Sequence, residues 1–312
     1  MVRGLLSATA ALVLCAAFPA AAGESHGQLA AGPVQGSPVF SSRSDLVVLD
    51  VLVTTANGTY VAGLGSDAFT IEEDGVRQTI QFFGEHDSPA TVGLIVDSSG
   101  SMVSAGEGVI AAVAAFVETS NRDDEVFALA FNDRVYSVLP PDTPFTGDPR
   151  RLRDGLTGAF DPWGRTSLYD AMVAGFEYLA RGTHRRKALV VVSDGGDNAS
   201  RATLDDVVSI SRASNTVIYA IGLTDPLELE ANPLILKRLA EASGGNAFRP
   251  RNTRQVSRDL RVIAQDIRNS YTIGYVSTNL QRDGRLRRIR VTAERAGQRD
   301  LRVRTREGYV AK

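Results

Sequence analysis

The stretch Val92-Gly93-Leu94-Ile95-Val96-Asp97-Ser98-Ser99-Gly100-Ser101 decides how this chain is read. Its uncharged first half is short and almost wholly apolar, the pattern of a strand buried on both faces. It ends on a carboxylate and hydroxyls, and a helical pattern follows. In Asp97-x-Ser99-x-Ser101 the intervening residues face away, so three oxygens turn toward one point. Gly100 permits the tight bend this needs. Hard oxygen ligands without nitrogen or sulfur suit Mg²⁺, Mn²⁺ or Ca²⁺ rather than zinc or copper. Taken alone, the motif has a second reading, because Asp and Ser at a strand-to-helix turn also serve as N-caps.

Two further stretches favour the ion. Gly164-Arg165-Thr166-Ser167 precedes a helix whose apolar stripe is Leu168, Met172, Phe176 and Leu179. Leu189-Val190-Val191-Val192-Ser193-Asp194 is a second apolar run that ends on a carboxylate, with glycines after it. In an open parallel sheet, side chains beyond the carboxyl ends of the strands gather in one crevice. Asp97, Ser99, Ser101, Thr166 and Asp194 therefore form one predicted cation site.

In this order and spacing, these residues resemble the metal-ion-dependent adhesion site of a von Willebrand factor A domain. The resemblance covers about residues 88–270, and three separated pieces in register are far more specific than any one. It implies that Ser99 and Ser101 ligate the ion directly and that Thr166 binds directly or through water. Asp97 and Asp194 would mostly hold metal-bound waters. It also implies an open position on the ion, filled by a partner's Asp or Glu carboxylate. Arg165 departs from the family pattern, where many members have glycine. Its guanidinium either pairs with the incoming carboxylate or points to solvent. In integrin-like members the last helix moves when the ion changes ligands, and Val256, Leu260, Ile263 and Ile267 mark the matching helix here.

Strands alternating with helices across the centre predict an α/β fold: a doubly wound, mostly parallel sheet. Val135 to Leu139, turned back at Asn132-Asp133, adds one antiparallel edge strand. The loop before Thr166 runs over the crevice, so Phe160, Trp163 and Arg165 are placed to frame the metal face. Two readings of Trp163 stand: an anchor for a partner, or a seal of the loop on the core. Asp197-Asn198 reads as a turn rather than a second ion site.

The ends of the chain differ from the centre. Val47, Leu49, Val51 and Val53 alternate as a strand, with a return strand expected at Tyr60-Val61 after Asn57-Gly58. Phe69 to Ile71 and Thr79 to Phe83 flank Asp74-Gly75 as a second expected hairpin. Asp67 to Gly75, with Gln78-Thr79-Ile80, is similar to the leader module of secreted bacterial von Willebrand factor A-related proteins. Gly274-Tyr275 and Gly308-Tyr309 match the same family. Glu72, Glu73 and Asp74 read as a solvated turn, since no EF-hand spacing is present. Beyond Tyr271 the pattern is again strands, with Asp283-Gly284 expected to join two of them as a hairpin. Neither end buries much alone. The expected solution is a small all-β sandwich made from the amino- and carboxyl-terminal segments, flanking the central domain.

The expected organisation is a signal peptide at 1–22, a flexible linker at 23–43, a β segment at 44–87, the central domain at 88–270 and a β segment at 271–312 that pairs with 44–87. Arg3, the apolar run from Leu5 to Phe18 and Ala20-Ala21-Ala22 have the order of a secretory signal. A chain of 312 residues with an apolar fraction of 43% fills a sizeable core. A net charge of -2 gives no reason to expect nucleic acid. The excess of arginine over lysine reads as codon bias. Cys15, the only cysteine, would leave with the signal, which removes disulfides and thiolate chemistry. No later stretch is long and apolar enough to span a bilayer, so an exported periplasmic or extracellular protein is expected.

His26, His86 and His184 stand beside no candidate nucleophile. The Gly-x-Ser-x-Gly elbow and phosphate-cradling glycine loops are absent. The expected function is a non-enzymatic, metal-ion-dependent protein-binding or adhesion module with Mg²⁺ as first cofactor and Mn²⁺ or Ca²⁺ as alternatives. The competing readings are a metal-dependent hydrolase and a metal-stapled structural or assembly domain.

Overall fold

In the computed structural model, residues 46–84, 87–223, 232–298 and 300–311 are described. The expected signal peptide and linker, Cys15, His26 and His86 lie outside them.

The chain begins with β1 (Leu46–Thr54), β2 (Phe69–Glu73), β3 (Val76–Gln78) and β4 (Ile80–Gly84). The centre follows as β5 (Ala90–Asp97), α1 (Gly106–Thr119), β6 (Glu125–Phe131), β7 (Val135–Ser137), α2 (Pro149–Ala159) and α3 (Leu168–Arg181). It continues through β8 (Arg186–Ser193), α4 (Leu204–Ala213), β9 (Thr216–Gly222), α5 (Pro233–Ala242), β10 (Ala247–Phe248) and α6 (Thr253–Asn269). The tail adds β11 (Tyr271–Val276), β12 (Leu286–Ala293), β13 (Arg302–Arg304) and β14 (Gly308–Val310).

The central sheet has the order β10-β9-β8-β5-β6-β7. All its pairings are parallel except β6 with β7, the antiparallel edge read from the sequence. β5 lies between β8 and β6 and every one of its residues is buried, which explains its unbroken apolar run. Val92, Leu94 and Val96 pack toward α1, α2 and α6, while Ile95 packs toward α3 and α5. This alternation covers the sheet on both faces. α4 starts with a Thr203–Asp206 capping box, and Val256, Leu260, Ile263 and Ile267 form the buried stripe of α6. The expected fold class is therefore what the chain adopts.

The end segments build two four-stranded sheets, β13-β1-β11-β4 and β14-β12-β2-β3. Leu49, Val51, Phe69, Ile71, Tyr271 and Ile273 share the core between them. Three local expectations are corrected. Tyr60 makes only an isolated bridge to Thr54, so no return strand forms there. Asp74-Gly75 closes β2 on β3 alone, and Thr79 then lets β4 cross to the opposite sheet. Asp283-Gly284 joins no hairpin, because β11 and β12 lie in different sheets. A period-two pattern buries one face equally well whether a strand folds back or crosses over, and strands in sandwiches do switch sheets at bends.

Glu73 corrects the solvated-turn reading. It is 2% exposed and accepts hydrogen bonds from Tyr275 Oη (2.8 Å), Tyr309 Oη (3.1 Å) and Ser277 Oγ (2.6 Å). Glu72, by contrast, stands between Arg290 and Arg77 across the sheet.

Arg186, the first residue of β8, joins the centre to the sandwich. It donates to the carbonyls of Ile267 (2.8 Å), Ser270 (2.6 Å) and Ser88 (3.2 Å) and to Thr272 Oγ1 (3.1 Å). Its Nε lies 3.5 Å from Asp50 Oδ1 on β1. Burial holds the Asp50 carboxyl above its usual range, although Arg186 pulls in the other direction. The carboxyl end of α6 is thus held by one cation that also touches both flanking strands.

Candidate functional site

The loops that follow β5, β8 and the α2–α3 connection meet at the carboxyl end of the central sheet. Asp97 ends β5 and is fully buried. Its Oδ1 accepts from the Ser99 backbone N–H (2.9 Å), and its Oδ2 accepts from Ser193 Oγ (2.7 Å) at the end of β8. Burial pushes its carboxyl up to about 6; these hydrogen bonds oppose the rise, and the nearby Asp194 charge adds to it. Ser193 immediately precedes Asp194, so the two carboxylates lie at the carboxyl ends of the adjacent parallel strands β5 and β8. Asp194 is 5% exposed and accepts from the Gly196 N–H at 2.8 Å.

Ser99 is buried and Ser101 half-buried, with their hydroxyls 3.1 Å apart. Neither caps a helix: α1 begins only at Gly106, and its N-cap Ala105 has no side-chain cap. The short 3₁₀ turn at Gly100–Met102 starts at Ser99 without a side-chain cap bond. The capping alternative is thereby removed.

Thr166 is 7% exposed. Its N–H donates to Asn198 Oδ1 (2.9 Å), and its carbonyl accepts from the N–H groups of Asn198 and Ala199 (3.0 Å each). This ties its loop to the one after Asp194. The Gly100 N–H donates to the Gly164 carbonyl (3.5 Å), which ties it to the serine loop. All five predicted residues are thus gathered at one end of the sheet.

The donor set fits a hard divalent cation. Two adjacent corners of an octahedron at Mg²⁺–oxygen distance lie roughly 3.0 Å apart, close to the Ser99–Ser101 spacing. Among the described residues, no three His, Cys, Asp or Glu side chains gather as a metal cluster.

The loop residues take definite roles. Arg165 faces solvent with its side chain 68% exposed; its Nε lies 3.5 Å from Asp133 Oδ1 and its guanidinium donates to the Asn198 carbonyl (3.3 Å), so it also touches two loops. Phe160 is half-buried and packs over Gly106 at the start of α1, where an added Cβ would come within 2.3 Å of its ring. Trp163 is 76% exposed, which removes the reading that it seals the loop. Asp197 accepts from Tyr169 N–H (3.2 Å) and Ser200 Oγ (2.6 Å), holding a turn as expected.

Sequence reasoning missed Ser193 and Asn132. Ser193 supports Asp97 across two strand ends, and Asn132 accepts from Ser167 N–H and Oγ through its carbonyl (2.9 and 2.6 Å). A polar residue closing a buried apolar run was the only available signal for Ser193.

A doubly wound sheet with a hydroxyl-lined crevice at its carboxyl end defines a class of ligand-binding α/β domain. Residues 92–196 match the von Willebrand factor type A domain family, and the central domain is a domain of this type. Among solved structures, the von Willebrand factor type A protein of Catenulispora acidiphila is similar with 14% identity and a TM-score of 0.51; the match covers 87% of this chain and 74% of that one. The vWF domain of the type V pili tip protein Mfa5 from Porphyromonas gingivalis is similar at 13% identity and TM-score 0.48, over 57% and 95% of the two chains. The conserved hypothetical protein BatB from Bacteroides thetaiotaomicron is similar at 16% identity and TM-score 0.46, over 58% and 97%. At 14% identity the likeness to the Catenulispora acidiphila protein is one of fold. No curated protein matches the chain.

Proposed function

We propose that the chain is a metal-ion-dependent protein-binding module of an exported bacterial protein, and that it takes a partner's Asp or Glu carboxylate. Ser99 and Ser101 would hold the ion directly, Thr166 directly or through water, and Asp97 and Asp194 through water. Mg²⁺ is the proposed ion, with Mn²⁺ and Ca²⁺ as alternatives. A divalent ion held mainly by neutral hydroxyls keeps most of its charge and supplies a strong electrophilic position for an entering carboxylate.

The observation that carries this reading is the hydroxyl pair of Ser99 and Ser101 at the end of β5, where the buried carboxylates of Asp97 and Asp194 close two neighbouring strands. The chain's own part is rigidity. Ser193 and the Ser99 N–H fix Asp97, and Asn198 fixes the Thr166 loop. Because the loops are already bonded to one another, they need no ion as a staple, which favours binding over a purely structural metal. Catalysis finds no support from His184. It lies before β8, at the opposite end of that strand from Asp194, with its ring on the Asp123 carbonyl at 2.8 Å. Among the described residues, no helix is long and apolar enough to cross a membrane, which is compatible with export.

The test uses the immobilised chain, an extracellular fraction, and Mg²⁺ or a chelator. Partner capture should require Mg²⁺ and vanish in Asp97→Ala and Ser99→Ala with melting temperature little changed. Chelator-insensitive capture, or collapse of the fold in Ser99→Ala, would overturn the reading.

A further inference from the structure

Two large apolar side chains stand out at the ion-binding end of the sheet. Trp163 is 76% exposed and Val103 63% exposed. Val103 follows the serine motif directly, and Trp163 precedes the Gly164-Arg165-Thr166 loop. The Gly100–Gly164 hydrogen bond puts these two loops side by side.

The tryptophan loop is fixed. The Asp161 carbonyl accepts from the Trp163 N–H (2.8 Å) and Asn132 Nδ2 (3.3 Å). Gly164 has φ +84°, and a Cβ there would lie 2.5 Å from Asp133 Oδ2. Asp133 Oδ1 also accepts from the Arg165 N–H at 2.8 Å. A backbone held this firmly presents the indole to solvent without a loop-ordering cost on binding. Such an exposed aromatic is the residue type that dominates interface energetics. Arg165, next along this loop, touches Asp133 and the Asn198 carbonyl, so its guanidinium is turned toward those groups while the indole stands clear of them.

We propose that Trp163 and Val103 form an apolar rim beside the ion site, selecting an extended protein segment whose Asp or Glu stands next to a large aliphatic or aromatic side chain. A run of acidic residues would leave the rim uncovered and bind less well. This inference rests on the metal-dependent reading above and names the partner chemistry for the same site.

A random peptide library displayed on phage tests it, panned against the full-length chain in Mg²⁺. Wild type should enrich peptides with an acidic residue beside a large apolar one. These peptides should shift the emission of Trp163, the sole tryptophan. Trp163→Ala should lose roughly 10- to 30-fold in affinity for them yet still enrich acidic peptides without apolar neighbours, and Trp163→Phe should restore part of the preference. Ser99→Ala should enrich neither class. Acidic peptides with only polar neighbours, or an apolar preference that survives Trp163→Ala, would overturn the rim and leave the metal reading intact. Enrichment without acidic residues, or no Mg²⁺-dependent enrichment, would overturn both.

Discussion

Replacing Arg186 by methionine isolates the junction between the central domain and the sandwich. The methionine keeps most of the apolar stem but removes every donor. The carbonyls of Ile267, Ser270 and Ser88 then lose this donor, and Asp50, whose side chain is 5% exposed, loses the cation 3.5 Å away. Removing one member of a buried ion pair costs about 3–5 kcal/mol, a large part of the roughly 5–15 kcal/mol that holds a typical domain folded. The sign of the pH response follows from Asp50. Its carboxyl is already raised in the folded state by burial, and loss of Arg186 raises it further. A folded-state value above the unfolded one means that the folded protein binds the proton more tightly. Arg186→Met should therefore regain stability as pH falls through that raised value toward the ordinary carboxylate range. Adding Asp50→Asn should remove this recovery and return about 2 kcal/mol of the loss at neutral pH. Urea unfolding followed by far-ultraviolet circular dichroism is the assay, since the sole tryptophan is exposed and reports the core poorly. A cost below about 1 kcal/mol, or a double variant whose loss equals the sum of the two single losses, would refute the claim that Arg186 and Asp50 act as a coupled junction.

Three further outcomes follow from particular contacts. Gly93→Ala should destabilise by about 1–3 kcal/mol in thermal unfolding, since its Cβ would lie 2.4 Å from Phe127 Cζ and 2.9 Å from Leu189 Cδ1. Ser193→Ala should weaken Mg²⁺ affinity about 10-fold by calorimetry, because Asp97 loses the donor that orients it; unchanged affinity would show that Asp97 does not serve the ion. Glu73→Gln should cost about 1–3 kcal/mol in urea unfolding, because one of the two oxygens that accept from the hydroxyls of Tyr275, Tyr309 and Ser277 becomes a nitrogen that cannot accept.

The parts legible in the sequence are those where one strand or helix carries the whole signal. β5 and β8 each contain an apolar run, Val92 to Val96 and Leu189 to Val192, with Asp97 or Asp194 just beyond it, so their burial and their meeting at one end of the sheet could be read together. The stripe of α6 was equally plain. Pairing within the sandwich was not, because β4 and β12 have patterns that fit either sheet. β10 is two residues long and carries no period at all. The bonds that fix the site, Ser193 to Asp97 and Asn198 to Thr166, join residues far apart in the chain, and no local pattern announces them. Glu73 was hidden for the same reason: a carboxylate beside Asp74-Gly75 looks solvated until hydroxyls from distant strands close over it.

The central claim is that the Ser99–Ser101 crevice holds a divalent cation. Mn²⁺ titration followed by electron paramagnetic resonance tests it most directly, with Mg²⁺ as competitor and circular dichroism as the control for folding. The account predicts one Mg²⁺-displaceable Mn²⁺ on the wild-type chain, lost in Ser99→Ala without change in secondary structure. Tight Mn²⁺ binding that persists in Ser99→Ala, or none in the wild type, would contradict it.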